Sequence, residues 1–152
     1  MNIAIEGKTC DCERGEFLRD VAARNGIRIP TLCHHEGLPG QGCCRVCICE
    51  VVENGWSKIV VSCVYPIGRE CEVHTNSEKV RKQRAMTLRL LQLRAPDSTV
   101  IAGMCKAYGA PDTPTLQVAE DGGKCILCGL CVKACNELGT GAISTANRGI
   151  TK

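Results

Sequence analysis

The sequence predicts an α+β protein: a cysteine-rich unit of strands and one helix, a helical connector, and a second, smaller cysteine-rich segment. Three observations carry that prediction. Two β-rich runs flank Asn54-Gly55, EFLRDVAARNG has helical spacing, and fourteen cysteines gather mainly into two clusters of unlike spacing.

Residues 1–12 read as a strand, a turn at Gly7-Lys8 and a second strand. The helix follows, with Phe17, Leu18, Val21 and Ala22 on one face and Asn25-Gly26 as its stop. After a long cysteine loop, CICEVVE and KIVVSCV form a hairpin across Asn54-Gly55, a dipeptide suited to the positive φ of a two-residue turn. CEVHT adds a last short strand. TNSE at 75–78 has the form of a capping box and should open a helix reaching about Leu93. Its basic residues Lys79, Arg81, Lys82, Arg84, Arg89 and Arg94 read as a solvated face. Pro96, Pro111 and Pro114 mark residues 95–124 as a connector with one short helix near Val100–Tyr108. The expected units are therefore 1–76, 77–110 and 111–152.

Composition narrows the chemistry. Of 152 residues only Phe17, Trp56, Tyr65 and Tyr108 are aromatic, so the core is thin and needs staples. No secretory signal or membrane-length apolar run is visible, so the expected compartment is the reducing cytoplasm, where clustered cysteines bind metal more often than they pair. A net charge of +3 does not call for nucleic acid. No dinucleotide fingerprint, P-loop or nucleophile–base pair is present, so no substrate active site is expected in this chain.

Cys125, Cys128, Cys131 and Cys135 are spaced C-x2-C-x2-C-x3-C, the bacterial ferredoxin run for a 4Fe-4S cluster. Two-residue gaps let three thiolates converge from one tight loop, and Gly129 gives that loop a permissive backbone. The fourth ligand stays open. In two-cluster proteins the last cysteine of such a run serves the other cluster, so Cys135, Cys105 or a residue beyond Lys152 could close the set. The run itself favours Cys135.

Cys33, Cys44, Cys47 and Cys63 give C-x10-C-x2-C-x15-C, which keeps the x2 pair and the distant fourth cysteine of plant-type 2Fe-2S sites while stretching the first gap. Gly37, Pro39, Gly40 and Gly42 suit a loop whose amides turn inward. Choosing Cys44 over Cys43 restores the tight pair with Cys47. Cys10, Cys12, Cys49 and Cys71 read as small buried side chains. Cys33, His35, Cys71 and His74 could make a Rieske-type set, but that would leave Cys44, Cys47 and Cys63 unexplained. His34 and His35 read as polar residues near the loop surface, within reach of a cluster sulfide.

IPTLCHHEGLPGQGCCRVCICEVVE, VSCVYPIGRECEVHTNSEKVRKQR and KCILCGLCVKACNELGTGAIS together resemble one family along nearly the whole chain. It is the N-terminal iron–sulfur region of three groups. These are the large iron–sulfur subunit of respiratory complex I, the small diaphorase subunit of NAD-reducing nickel–iron hydrogenases, and the catalytic subunit of multimeric iron-only hydrogenases. Related subunits occur in electron-bifurcating transhydrogenases and NAD-linked formate dehydrogenases. The resemblance implies a β-grasp plant-type ferredoxin domain holding a 2Fe-2S cluster on Cys33, Cys44, Cys47 and Cys63. It further implies a 4Fe-4S segment on Cys125, Cys128, Cys131 and Cys135. Flavin and NAD(P) would lie in partner subunits. Many relatives carry a His-x3-Cys-x2-Cys-x5-Cys set after the basic helix. Here that stretch reads LRAPDSTVIAGMC, so that cluster is not expected. Relatives also continue past a segment like NRGITK, so a longer parent subunit is compatible with this chain.

The expected function is one-electron relay between a flavin-containing, NAD(P)H-oxidising partner and another redox subunit, without a membrane span. A cluster-based redox sensor and a zinc-stapled binding module are the competing classes. Cys43→Ser should leave the 2Fe-2S absorption and iron content unchanged, whereas Cys44→Ser should abolish both. The reverse result would overturn the ligand register.

Overall fold

The computed structural model describes residues 1–115 and 123–146. Strands β1 (Asn2–Ile5), β2 (Lys8–Asp11), β3 (Ile48–Glu53), β4 (Trp56–Val61) and β5 (Glu72–His74) form one mixed sheet in the order β2-β1-β5-β3-β4. β5 lies parallel to β1 and antiparallel to β3, so the last strand of the unit is inserted at its centre. Helix α1 (Leu18–Arg24) turns Leu18, Val21 and Ala22 inward. α2 (Glu78–Arg94), α3 (Thr99–Tyr108) and α4 (Leu130–Glu137) complete the described elements. The architecture is α+β, as the strand and helix patterns predict.

Local chemistry explains the turns. Asn54 and Gly55 have φ of 49° and 79°, the two left-handed positions of the expected hairpin. The first hairpin turns one residue earlier than the sequence suggests, at Glu6-Gly7, with φ of 49° and 77°. That register pairs Ile5 with Lys8 and buries Ile3, Ile5 and Cys10. A turn at Gly7-Lys8 would shift the pairing and move those side chains off the core face.

The start of α2 also departs from expectation. Ser77 is the N-cap, its hydroxyl accepting the Val80 N–H at 3.3 Å. Thr75 is not free to cap, because its N–H and hydroxyl both donate to the Glu6 carboxylate. The carbonyl of Thr75 is taken by Arg84. Glu78 pairs instead with Lys82 one turn on, at 2.7 Å. Ser98 caps α3, and left-handed Gly109 ends it.

Two apolar cores result. The first packs Ile3, Ile5, Leu18, Val21, Val51, Ile67 and Val73 around buried Cys10, Cys12 and Cys49, so thiols fill volume that aromatic rings would otherwise occupy. The second joins Val46 of the cysteine loop to Leu88 of α2, Ala95 and Ile101 of α3. α2 and α3 thus act as a cover over the loop, which by itself has no regular structure from 27 to 47. Residues 116–122 of the connector and the NRGITK segment lie outside the described residues. Leu88 is fully buried between loop and helices. Leu88→Ala should cost about 3 kcal/mol, measured as a lower denaturant midpoint with an unchanged slope.

Candidate iron–sulfur site

Cys33 comes from the long loop, Cys44 and Cys47 from the approach to β3, and Cys63 from a 3-10 turn at Ser62–Val64 that follows β4. All four are buried. The turn is fixed where it must be. Ser62 donates to the Cys47 carbonyl through both its N–H (3.1 Å) and its hydroxyl (2.7 Å). Beyond it, the Leu18 N–H donates to Tyr65 and the Ile67 N–H donates to Glu16, which ties the Cys63 segment to the entry of α1.

The four thiols lie as two neighbouring pairs, Cys33 with Cys44 and Cys47 with Cys63, each thiol perturbing its partner. The pairs also sense each other electrostatically, Cys44 with Cys47 and Cys63 with Cys33. Within each pair one sulfur is the better acid: Cys44 and Cys47 are held low by the partner thiol's hydrogen bond, and Cys33 and Cys63 are pushed up. Backbone amides add to this. The Cys44 N–H donates to Cys33 Sγ at 3.3 Å. Cys44 is further stabilised as a thiolate by the amides of Val46, Leu32 and Cys33, Cys47 by that of Cys63, and Cys63 by that of Gly42. Arg45, with φ of 54°, takes the left-handed conformation between Cys44 and Val46. Such a conformation is uncommon for a non-glycine residue and is characteristic of functional loops.

This donor set fits an anionic binuclear cluster. Sulfurs two by two match two irons of two thiolates each, and inward amides offset the charge of cysteine-ligated iron–sulfur groups. Among the described residues, no three Cys, His, Asp or Glu side chains are grouped as for a single metal ion. Two glycines make the cradle. A Cβ on Gly40 would lie 2.3 Å from the Cys63 carbonyl oxygen, and Gly42 has φ of 65° with Val64 close behind it.

The remaining candidates fall elsewhere. Cys43 is exposed, its thiol turned toward Gln41 at 3.7 Å from the carbonyl. Cys49 is buried in β3, Cys71 is half-buried just before β5, and Cys10 and Cys12 are in the first core. For the Rieske-type set, His74 faces Glu72 at 3.5 Å, and His35 accepts from the Gly37 N–H. His34 is half-buried at the edge of the loop, its two ring nitrogens buried without a hydrogen-bond partner, and burial lowers its pKa. Beside it, an open cleft of about 510 Å³ lined by Phe17, Arg19, Asp20 and Leu38 reaches Cys63.

In the C-terminal run, Cys125 and Cys128 precede α4, while Cys131 and Cys135 lie on it one turn apart. Leu127 and Gly129 are both left-handed, with φ of 57° and 76°, so the loop turns sharply between its cysteines. Cys128 packs against the second core, the cluster that also contains Cys33, Cys44 and buried Cys105. Cys135 is buried, its sulfur 3.0 Å from the Thr140 hydroxyl and accepting the Ala142 N–H at 3.1 Å. These contacts hold its pKa low, the Thr140 hydroxyl first. Lys133 of α4 reaches across to the Pro39 carbonyl at 3.0 Å, bringing the two cysteine units together.

Residues 1–78 match the family model for a 2Fe-2S iron–sulfur cluster-binding domain. The chain belongs to this family. It is 31% identical over 179 aligned positions to the NADP-reducing hydrogenase subunit HndD of Solidesulfovibrio fructosivorans, covering 99% of this chain and 30% of that one. It is 32% identical over 96 positions to the NADH-ubiquinone oxidoreductase 75 kDa subunit of Reclinomonas americana, covering 63% of this chain and 14% of the other. A chain in the crystal structure of an NAD+-reducing NiFe hydrogenase in the H2-reduced state superposes with a TM-score of 0.82 at 25% identity, over 99% of this chain and 72% of that one. The resemblance read from the motifs is therefore real. The chain spans less than a third of the length of either sequence relative.

Arg84 is the residue that sequence reasoning missed. The basic-face reading places it in solvent, yet it is among the most buried of the described side chains. Its position between Val80 and Leu88, four residues from each on the inward stripe of α2, was the available signal.

Gly40→Ala should sharply reduce iron bound per chain, because its methyl group cannot fit against the Cys63 carbonyl. Gly37→Ala, whose Cβ would meet only the His35 ring at 3.5 Å, should bind iron normally. Metal analysis of the two variants side by side checks this.

Proposed function

We propose that this chain is an electron-transfer iron–sulfur subunit of an NAD(P)H-linked multi-subunit oxidoreductase. In this reading Cys33, Cys44, Cys47 and Cys63 ligate a 2Fe-2S cluster, which supplies a one-electron couple. The observation that carries it is the meeting of four buried thiols as two pairs under inward-pointing amides. The family membership of residues 1–78 supports it independently.

Cys125, Cys128 and Cys131 belong in the same reading to a 4Fe-4S cluster, with Cys135 as the fourth cysteine of the run. The spacing supports this, as do the two left-handed residues that fold the loop. The domain reading is a β-grasp ferredoxin-like unit over 1–76, a helical connector over 77–110 and a 4Fe-4S segment over 111–152. The insertion of β5 beside β1 supports the first of these, and the Lys133–Pro39 contact supports relay between the two units.

The residues themselves bind, shield and orient. Val46, Leu88 and Ile101 keep water from the Cys33–Cys44 side, while the cleft at Cys63 leaves the other side approachable. A flavin- and NAD(P)H-binding iron–sulfur subunit and a further redox subunit are the partners in this reading. The hydrogenase and NADH-oxidoreductase relatives support that choice. A cytoplasmic location suits the fourteen cysteines. Among the described residues no helix is long and apolar enough to cross a membrane.

Protein purified without air should be brown, bleach on reduction, and carry roughly six irons with matching acid-labile sulfide. A colourless chain holding zinc and no sulfide would defeat the proposal. A count of about ten irons would add a cluster that it does not contain.

A further inference from the structure

Arg84 is 1% exposed, and all its hydrogen-bond partners are neutral. Its Nε donates to the Val46 carbonyl at 2.8 Å, and one Nη donates to the carbonyls of Ile48 at 2.6 Å and Thr75 at 3.0 Å. Val46 and Ile48 flank Cys47, so the guanidinium grips the chain on both sides of one of the four site cysteines. The Tyr108 ring covers it, with the centroid 5.2 Å from the guanidinium carbon. Arg81 lies over the same ring at 5.9 Å, and the Glu6 carboxylate reaches Arg84 only through Thr75, accepting from the Thr75 N–H and hydroxyl while the Thr75 carbonyl accepts from Arg84. Among the described residues no carboxylate forms an ion pair with Arg84.

A buried charge without a counter-ion costs several kcal/mol of desolvation unless something compensates. Three carbonyls compensate in part, but a neutral glutamine or a methionine could hold the same helix against the same strand at lower cost. A guanidinium cannot shed its proton to escape burial. The position therefore keeps a permanent positive charge in a low-dielectric setting, where charge acts strongly and salt screens it little.

We infer that Arg84 is the electrostatic tuning residue of the 2Fe-2S site: its fixed charge behind Cys47 favours the more negative, reduced state and raises the reduction potential. The inference rests on the ligand reading proposed above. Reduction adds one electron to a group already anionic with four thiolates, and no bond or proton need move. The incoming negative charge is the change that Arg84 senses. The same contacts give the effect its rigidity, since three hydrogen bonds and an aromatic lid leave the guanidinium no freedom to move away.

The test is a dithionite titration of the full chain purified without air, followed by absorption and EPR. Arg84→Gln should shift the midpoint to more negative potential. At the wild-type midpoint its reduced-to-oxidised ratio should fall roughly tenfold. Arg84→Lys, which keeps the charge but loses the planar fork, should stay close to wild type. A merely structural role predicts the opposite pattern, with both variants altered alike. Tyr108→Glu against Tyr108→Gln gives a second measure that leaves Arg84 and its carbonyl contacts in place. The added carboxylate should lower the potential relative to the amide, and this comparison decides the matter where Arg84→Gln does not fold. An unshifted Arg84→Gln, equal shifts in Gln and Lys variants, or equal potentials in the Tyr108 pair would overturn the inference. A wild-type chain without a 2Fe-2S spectrum would instead defeat the ligand reading beneath it.

Discussion

Four thiols must be held close together, three from a loop that makes no helix or strand of its own and one from the 3-10 turn after β4. Every other feature answers to that constraint. Sulfurs at such spacing repel once ionised, and an irregular loop leaves its amides and carbonyls unpaired. The structure resolves both problems together. Amides turn toward the sulfurs, where negative charge is to be stabilised, and carbonyls are taken up on the other side by Arg84 and Ser62.

That division of labour explains the cover formed by α2 and α3. A thin core in a chain with only four aromatic residues, two of them exposed, cannot anchor a long loop by burial alone. Leu88, Ala95 and Ile101 supply a second apolar surface for Val46, Cys33 and Cys44. The helices also bring Arg84 into position. The same packing places Cys128 at the edge of this core, so the second cysteine unit leans on the first rather than standing apart.

Much of this was legible in the sequence because the signals were local. Asn54-Gly55 demands two left-handed residues, and the spacing of Leu18, Val21 and Ala22 demands a helix. Ser77 shows where local reading fails. TNSE offers Thr75 as a cap, but Glu6, sixty-nine residues away, has already engaged it.

By itself the sequence determined the cysteine spacings, the turn positions within a residue, the α+β class and the family. All of these are written in short windows or in composition. Tertiary structure alone decided that β5 enters the middle of the sheet and that Arg84 is buried against the loop. The physical reason is that the Val80–Arg84–Leu88 spacing permits burial without requiring it, since a long arginine on such a stripe can end in solvent or inside a core. Where it ends depends on whether unpaired carbonyls, brought by another part of the chain, arrive to receive it.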